Sequence, residues 1–224
     1  MRIWLFAVLT SACVAQLPYE QLSPPQQAEV RAIVKRADFV FETRTQPKKV
    51  GLPTMEKLFD HPRLGAAMWR HCQFVPGFYA FVHRDGSWTM DDGKGLRGTL
   101  NLIYQKPGFR VYLVEGRAEQ GRLKTPFAVG AKMVTVYRYW HSPEGFESHL
   151  QTWTALDSSV LGFMAKPFRG YIRQRQEEFI GYINNNVAII GEFAELHPQD
   201  FHQPLRQEGD VLAVGEFETL FLGK

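Results

Sequence analysis

The chain has 224 residues, of which 45% are hydrophobic and 22% are charged, and its formal net charge is +3. This composition is typical of one globular domain with a sizeable core, and it excludes collagen-like, low-complexity and internally repeated chains. The small net charge and the dispersed basic residues also argue against nucleic-acid binding. Arg110, Arg117, Arg122 and Lys124 form at most a loose basic patch, which is the pattern of an ordinary solvated surface.

The N-terminus has the form of a secretory signal peptide. Met1-Arg2 is a short basic start, and an apolar run and several small residues precede Gln16. The apolar run is too short to cross a membrane. Residues 1–15 are therefore predicted to be a signal peptide cleaved after Ala15, and the protein is predicted to be secreted to the periplasm or to the cell envelope.

Two alternatives remain open for this segment. Ser11-Ala12-Cys13 resembles a bacterial lipobox, which would leave Cys13 lipidated and the protein attached to a membrane, although Leu9 lies one position too early for that motif. The run could also be an apolar core segment. If the leader is removed, Cys72 is the only remaining cysteine, so that no intramolecular disulfide can form. A lone cysteine in this context is typical of a small buried hydrophobic residue rather than a nucleophile.

Residues 16–53 are predicted to be a tether followed by a first helix. Ser23 and Pro24 provide a helix start, and apolar residues recur at helical spacing from Ala28 to Phe41. Residues 44–53 contain two prolines and a glycine and are predicted to form a loop. Residues 54–70 are predicted to form one or two short helices interrupted at Pro62.

From Phe78 onward the apolar residues alternate with a period of two, which indicates antiparallel strands. The predicted strands are Phe78–His83, Ser87–Met90, Leu96–Gln105, Phe109–Glu119, Ala131–His141 and Phe146–Thr154. Residues 91–95, which contain two aspartates, are predicted to form a hairpin turn. They lack the spaced oxygen ligands and the terminal glutamate of a calcium-binding loop.

The segment Asp157–Leu196 is predicted to be the long helix around which the domain is organised. Its apolar residues recur every three, four or seven positions: Leu161, Met164, Phe168, Ile172, Phe179, Ile183, Val187, Ile190 and Ala194. The polar face is predicted to carry Arg173, Gln174, Gln176, Glu177, Asn184, Asn185 and Glu192. Asp157 is the predicted N-cap, Pro167 should kink the helix, and His197-Pro198 should end it. Residues 197–224 form a tail, in which the apolar run Val211–Leu222 is predicted to add edge strands.

The order of elements from residue 54 to residue 196 resembles the START-like, or helix-grip (SRPBCC), superfamily, which includes polyketide cyclases and lipid binders. The resemblance rests on two small helices, consecutive antiparallel hairpins, and the junction from Trp153 to Gly162 that runs into Lys166–Arg175. It implies an α+β fold in which a curved antiparallel β-sheet wraps around a long C-terminal α-helix. Two features depart from the family: its usual first edge strand is replaced here by a predicted helix, and the tail has no counterpart.

For an exported bacterial member, the resemblance implies an elongated apolar cavity between the sheet and the C-terminal helix. The ligand would be a lipid, a sterol or terpenoid, or a polyketide-like molecule. The predicted wall residues are Leu102, Tyr104, Leu113, Met133, Tyr137, Trp153, Phe163, Phe168, Tyr171 and Phe179. Arg97, Glu115 and His149 could add polar contacts, although strand parity alone does not decide which way they point.

The sequence contains none of the common catalytic or metal-binding strings: a phosphate-binding glycine loop, GxSxG, HExxH or CxxC. His141 and His149 could face each other across the last hairpin, but we predict no metal and no cofactor.

Three functions remain open. The first is an exported carrier or sensor that shields a hydrophobic small molecule or lipid. The second is an enzyme of the cyclase, dehydratase or hydrolase type, with His149 or a tyrosine as the acid–base group. The third is a periplasmic interaction protein without a ligand. The carrier is favoured because the sequence offers no constellation of nucleophile and base.

Overall fold

A computed structural model describes residues 17–118, 129–157 and 169–223. The helices are α1 (Pro24–Arg36), α2 (Leu52–Asp60), α3 (Pro62–His71), α4 (Arg169–Leu196), α5 (Pro198–Glu208) and α6 (Val211–Phe221), and a short 3-10 helix spans Tyr19–Gln21. The strands are β1 (Phe39–Arg44), β2 (Tyr79–Val82), β3 (Trp88–Asp91), β4 (Leu96–Lys106), β5 (Phe109–Ala118), β6 (Val129–Ser142) and β7 (Gly145–Leu156). The predicted leader, Cys13 and the kink at Pro167 lie outside the described residues.

The described strands form one antiparallel sheet of seven strands in the order β1-β7-β6-β5-β4-β3-β2. Each strand from β2 to β6 pairs with the next strand along the chain, as the hairpin pattern predicted. The long helix α4 follows the last strand. The protein therefore has an α+β, helix-grip architecture, in which a curved antiparallel sheet wraps around a long C-terminal helix.

The first edge strand of the sheet was missed by the helical spacing, which predicted a helix as far as Phe41. Helix α1 ends at Arg36 instead, and β1 pairs antiparallel with β7. Phe39 and Phe41 are buried whereas Val40 between them is exposed, which is the period of a strand. The predicted absence of the family's first strand is therefore wrong.

The two faces of the sheet pack against different helices. On the outer face, Val111, Val134 and Trp153 pack against Val30 and Ile33 of α1. The inner face is turned towards α2, α3 and α4: Tyr137, Tyr139 and Phe146 belong to the same apolar cluster as residues of all three helices. Since successive side chains of a strand point to opposite faces, the strand register assigns every other residue to one face or the other.

Helix α4 is anchored to the edge of the inner face near β1. Ile180 packs against the buried cluster that contains Phe39 and Phe41. Further along the helix, the Ser148 hydroxyl of β7 donates a 2.8 Å hydrogen bond to Oδ1 of Asn184. Asn184 was predicted to lie on the solvent-exposed face, but it is 2% exposed because this polar bridge pulls it against β7.

The C-terminal tail consists of helices, so the prediction of edge strands for residues 197–224 is wrong. Helix α4 ends at Leu196, before His197-Pro198 as predicted, but Pro198 then starts α5. Phe201 and Leu205 of α5 and Phe217 of α6 are fully buried in the cluster shared with α2, α3 and α4. An apolar run of this length is compatible with either a strand or a helix, and the apolar surface of α3 selects the helix.

The turn between β3 and β4 is stabilised by its own aspartates, as the hairpin prediction requires. Oδ1 of Asp91 accepts a 2.7 Å bond from the Gly93 backbone N–H, and Oδ1 of Asp92 accepts bonds from the N–H groups of Lys94 and Leu96. These carboxylate oxygens thus close the turn that joins the two strands.

Candidate functional site

The inner face of the sheet is the candidate binding site, because some apolar side chains at its centre keep part of their surface exposed. The outer residues Val111 and Val134 are both 0% exposed beneath α1. Their inner-face neighbours on the same strands, Tyr112 and Met133, remain partly exposed. Helix α1 therefore covers the outer side of β5 and β6 at Val111 and Val134, while Tyr112 and Met133 on the inner side keep part of their surface exposed.

Four of the predicted wall residues lie on the inner side. Leu102 pairs with Tyr112, and Met133 pairs with Thr154, so both point towards the helices. Tyr137 lies on the same face and makes an edge-to-face contact with Phe59 of α2, with ring centroids 5.1 Å apart. Phe179 of α4 packs against Phe78, with ring centroids 6.3 Å apart. Contact of these four residues with a ligand stays a prediction.

Three predicted wall residues lie on the opposite face, and for them the predicted position is wrong. Tyr104, Leu113 and Trp153 belong to the outer cluster beneath α1. A bulge between Leu102 and Tyr104 shifts the register of β4, so these two residues point to opposite sides although they are two positions apart.

The remaining predictions fall beyond the described part of the chain. Phe163 and Phe168 are among the residues that the structure does not describe, and the side chain of Tyr171 is not described either. The predicted contact of these three residues with a ligand stays a prediction.

A buried arginine closes one end of the inner face. Nη1 of Arg110 lies 2.7 Å from Oδ1 of Asp60, its Nη2 contacts Oε2 of Glu56, and its Nε lies 3.2 Å from the Tyr139 hydroxyl. The Tyr139 hydroxyl also donates to Oε1 of Glu56, and the guanidinium lies 5.2 Å from the centre of the Phe59 ring. We call Arg110, Glu56, Asp60 and Tyr139 the Arg110 cluster. It fastens α2 to β5 and β6 by charge-assisted bonds.

The Arg110 cluster controls the ionisation of the groups around it. Burial alone would lower the pKa of the Arg110 guanidinium, but the bonds from Asp60, Tyr139 and Glu56 outweigh this effect and raise the pKa above its ordinary value. Burial raises the pKa of Tyr139, and the bond to Glu56 adds to that rise. Arg110 therefore stays charged and Tyr139 stays protonated at neutral pH.

A row of hydroxyl groups lies next to the Arg110 cluster on the inner face. Tyr112, Thr135 and Thr152 are in register across β5, β6 and β7, and we call them the hydroxyl row. The Thr135 and Thr152 hydroxyls are hydrogen-bonded at 3.2 Å. Burial raises the pKa of Tyr112, whereas the nearby positive charge of Arg110 opposes the rise.

His149 does not belong to the inner site. It lies on the outer face in register with Arg138 and Arg44, and its Nε2 is 2.6 Å from Oε1 of Glu42. His141 pairs with Phe146 rather than with His149, so the two histidines do not face each other. This geometry does not support a metal site formed by His141 and His149. It also does not support a role for His149 on the inner face.

Arg97 and Glu115 also point away from the inner face. They line a shallow outer cleft of about 290 Å³ at the ends of β4, β5 and β6. Arg97 is exposed and directly opposite Arg117, whereas Glu115 is ion-paired with Lys132 at 2.7 Å. Asp157, the predicted N-cap of the long helix, lies in the same cleft and donates its backbone N–H to the Gly130 carbonyl, which extends the β6–β7 ladder.

Other chemistry-bearing features of the described residues are few. No group of three or more histidine, cysteine or acidic side chains in the described ranges could hold a metal ion. Cys72 is half-buried against the apolar cluster and burial raises its pKa, which agrees with the predicted packing role. Within the same ranges, no helix is long and apolar enough to cross a membrane.

Sequence reasoning missed the Arg110 cluster and the hydroxyl row. The available signal was the parity of β5, where Arg110 and Tyr112 alternate with the outer residues Val111 and Leu113. A charged residue within a strand of this kind requires a partner, but Glu56 and Asp60 are about fifty positions away in the sequence. Only the packing of α2 on the sheet identifies them.

Comparison with known proteins gives a likeness of fold. No protein-family model and no curated protein matches the chain. Among solved structures, an uncharacterised protein from Rhizobium leguminosarum is 15% identical, with 69% of this chain and 94% of that chain covered and a TM-score of 0.41. The di-domain ARO/CYC protein StfQ of the steffimycin biosynthetic pathway is 14% identical, with 75% and 55% covered and a TM-score of 0.38.

A third solved structure is DynU16, a protein of the dynemicin biosynthetic locus. It is 12% identical to this chain, with 66% of this chain and 46% of that chain covered and a TM-score of 0.41. All three likenesses concern the fold alone.

Proposed function

We propose that this protein binds a hydrophobic small molecule between the inner face of the sheet and helix α4, as a carrier or sensor. The observation that carries the proposal is a group of apolar side chains on the inner face that keep part of their surface exposed. They are Leu100, Leu102 and Met133. Apolar side chains that stay accessible inside a fold gain free energy when a ligand covers them.

The inner face has the composition expected of a small-molecule site. It combines apolar side chains with a small number of hydroxyl groups, and one end is closed by the Arg110 cluster. A rigid sheet provides the wall, so little conformational entropy would be lost when a ligand binds. These features support a site that is largely formed before the ligand arrives.

The carrier is better supported than an enzyme that uses His149. The imidazole of His149 is held by Glu42 on the outer face, on the far side of the sheet from the proposed ligand. The inner-face tyrosines Tyr112, Tyr137 and Tyr139 all have raised pKa values because burial disfavours the phenolate, so none of them is prepared as a base at neutral pH.

Binding of the neutral dye N-phenyl-1-naphthylamine tests the proposal. We expect saturable fluorescence enhancement with the wild-type protein. Leu102→Trp fills the inner face and should weaken dye binding at least about tenfold, because the added ring takes the place of the ligand. The matched control is Tyr104→Trp, which adds the same side chain to the outer face of the same strand and should leave binding unchanged.

Equal loss of dye binding in both variants, with both still folded by circular dichroism, would contradict an inner-face site. Failure of the wild-type protein to bind the dye would favour the interaction protein without a ligand. Native mass spectrometry of protein purified from its own envelope, followed by organic extraction, identifies any natural ligand and its chemical class.

We further propose that the protein is exported and acts in the periplasm or at the envelope. The proposal is supported by the basic start, the apolar run and the small residues that end at Ala15. Mass measurement of the mature N-terminus decides between the routes. A chain that begins at Gln16 indicates cleavage after Ala15, and a diacylglyceryl-modified Cys13 indicates a lipoprotein. An intact Met1 would contradict export through this leader.

A further inference from the structure

We infer that the ligand of the inner face is an uncharged hydrophobic molecule with a carbonyl or hydroxyl oxygen, and that this oxygen is bound at Tyr112. The inference rests on the proposed function and deepens it, because it specifies the chemistry and the orientation of the ligand. The oxygen-bearing end lies at the hydroxyl row, and the hydrocarbon end lies along Leu100, Leu102 and Met133.

The charges at the closed end disfavour an anionic ligand. Arg110 is 3% exposed and its guanidinium already contacts two carboxylates, from Glu56 and from Asp60. One positive charge and two negative charges leave this end with a formal excess of negative charge. A ligand carboxylate placed here would lose its hydration and would be repelled, since charges act more strongly in a partly buried site than in water.

Tyr112 is placed to recognise an uncharged oxygen. Its side chain is partly exposed on the inner face, and it is in register with Thr135 on one side and Leu102 on the other. Because burial raises the pKa of this phenol, the hydroxyl keeps its proton and can donate a hydrogen bond. The Tyr112 hydroxyl is hydrogen-bonded to Arg110, which opposes the rise of its pKa, and it lies near the carboxylates of Asp60 and Glu56.

The two threonines of the hydroxyl row extend this polar band. Their mutual hydrogen bond at 3.2 Å uses one hydroxyl proton and leaves the other for a further bond. Thr135 is partly exposed whereas Thr152 is 2% exposed, so Thr135 is the member that a ligand can reach. Tyr112 and Thr135 thus offer two adjacent hydroxyls on neighbouring strands.

The inner face becomes apolar with distance from the Arg110 cluster. Beyond the hydroxyl row lie Leu100, Val114 and Met133, which are in register across β4, β5 and β6. The next row consists of Gly98, Gly116 and Ala131, which carry either no side chain or only a methyl group. A Cβ atom added at Gly98 would meet only backbone atoms of β5, at 3.7 Å or more, whereas one added at Gly116 would lie 3.4 Å from Cε of Met133.

Three tricyclic probes of one shape separate the effect of the ligand oxygen from the effect of the ligand charge. They are fluorene, 9-fluorenone and fluorene-9-carboxylate. Their affinities are measured by displacement of N-phenyl-1-naphthylamine from the full chain. We expect 9-fluorenone to bind about threefold to tenfold more tightly than fluorene, which is the effect of one net hydrogen bond. Fluorene-9-carboxylate should bind at least about tenfold more weakly than 9-fluorenone, because its charge meets the excess of carboxylates.

Two variants assign these effects to residues. Tyr112→Phe keeps the ring but removes the hydroxyl, so it should abolish the preference for 9-fluorenone and leave fluorene binding unchanged. Tyr104→Phe is the matched control on the outer face and should change neither probe. Asp60→Asn removes one negative charge from the exposed side of the Arg110 cluster and should reduce the discrimination against the carboxylate about threefold.

The outcomes distinguish this inference from the proposed function. If fluorene binds and the carboxylate binds as tightly as 9-fluorenone, the uncharged-ligand inference is overturned while the binding function stands. Likewise, retention of the 9-fluorenone preference in Tyr112→Phe overturns the assignment of the oxygen site to Tyr112. If none of the probes displaces the dye, and the dye itself does not bind, the proposed function fails and the inference fails with it.

Discussion

The guanidinium of Arg110 on β5 lies 2.7 Å from the carboxylate of Asp60 on α2. This ion pair joins a short N-terminal helix to the middle of the sheet, across fifty positions of sequence. Because Glu56 and Tyr139 complete the shell around the same side chain, the closed end of the inner face is held by charge as well as by apolar packing.

Replacement of Arg110 should destabilise the fold. Arg110→Met removes the cation from between Glu56 and Asp60, and we expect a loss of about 3 kcal/mol in the free energy of unfolding. The value lies at the lower end of the range for buried pairs because both carboxylates can still reach water. Urea denaturation measures the loss. Arg97→Met, an exposed arginine on the neighbouring strand, is the control and should change stability by less than about 0.5 kcal/mol. Equal effects of the two substitutions would contradict a structural role for the Arg110 cluster.

Two glycines of helix α4 give a matched test of how closely α2 approaches it. A Cβ atom at Gly191 would overlap Sδ of Met55 and lie 3.3 Å from Val50, whereas one at Gly181 would meet only Thr43 Oγ1 at 3.6 Å. Both Gly→Ala substitutions gain about 1 kcal/mol of helix propensity. Gly191→Ala should also incur an overpacking cost of about 1–3 kcal/mol, so it should be the less stable variant by that amount.

Thermal unfolding of the two glycine variants under identical conditions measures this difference. Because the propensity gain cancels between them, the difference reports packing alone. A Gly191→Ala protein as stable as Gly181→Ala would show that Met55 moves aside without cost, and would contradict a close approach of the two helices.

The C-terminal helices should contribute to the core rather than form an appendage. Phe217 is 0% exposed in the shared apolar cluster, so Phe217→Ala should cost about 3–5 kcal/mol in the free energy of unfolding. Leu212, one turn earlier in the same helix, is 60% exposed, and Leu212→Ala should cost less than about 0.5 kcal/mol. Chemical denaturation of both variants tests the prediction, and a mild effect at Phe217 would mean that the tail folds independently of the domain.

The raised pKa values of three inner-face tyrosines predict a loss of stability in alkali. Burial raises the folded-state pKa of Tyr112, Tyr137 and Tyr139 above the unfolded value of about 10. The stabilisation from their protonated forms is complete below about pH 10 and is lost as the pH rises through the folded-state pKa. Denaturation midpoints measured at a series of pH values should therefore be independent of these groups near neutrality and should fall above about pH 10.

Ultraviolet difference absorbance of the tyrosinate provides the second readout. Tyr112, Tyr137 and Tyr139 should ionise together with unfolding. Tyr137→Phe should remove amplitude only from the step that coincides with unfolding. Loss of amplitude at a pH below that step in Tyr137→Phe would contradict the raised pKa.

Local patterns in the sequence were sufficient for the main elements. The strands from β2 to β7 were predicted because alternation with a period of two and glycine- or proline-containing turns are properties of short segments. The long helix was predicted because its apolar stripe extends over many turns. The short run Phe39–Arg44 was misassigned, since three apolar residues directly after a helix also satisfy helical spacing.

The candidate site was only partly predictable for the same physical reason. Alternation places Tyr112 and Leu113 on opposite faces of the sheet, and it does the same for Met133 and Val134. It does not indicate which of the two faces a helix will cover. Helix α1 occupies the side of Leu113 and Trp153, and the other side is turned towards α2, α3 and α4.

The sequence by itself determined the period, the length and the order of the elements, because hydrogen bonding and apolar alternation act over a few residues. The tertiary structure alone decided which face is sealed, where the tail packs, and which carboxylates meet Arg110. Those decisions depend on contacts between segments that are far apart in the chain, and the free energy of burying each segment depends on the partner that it finds.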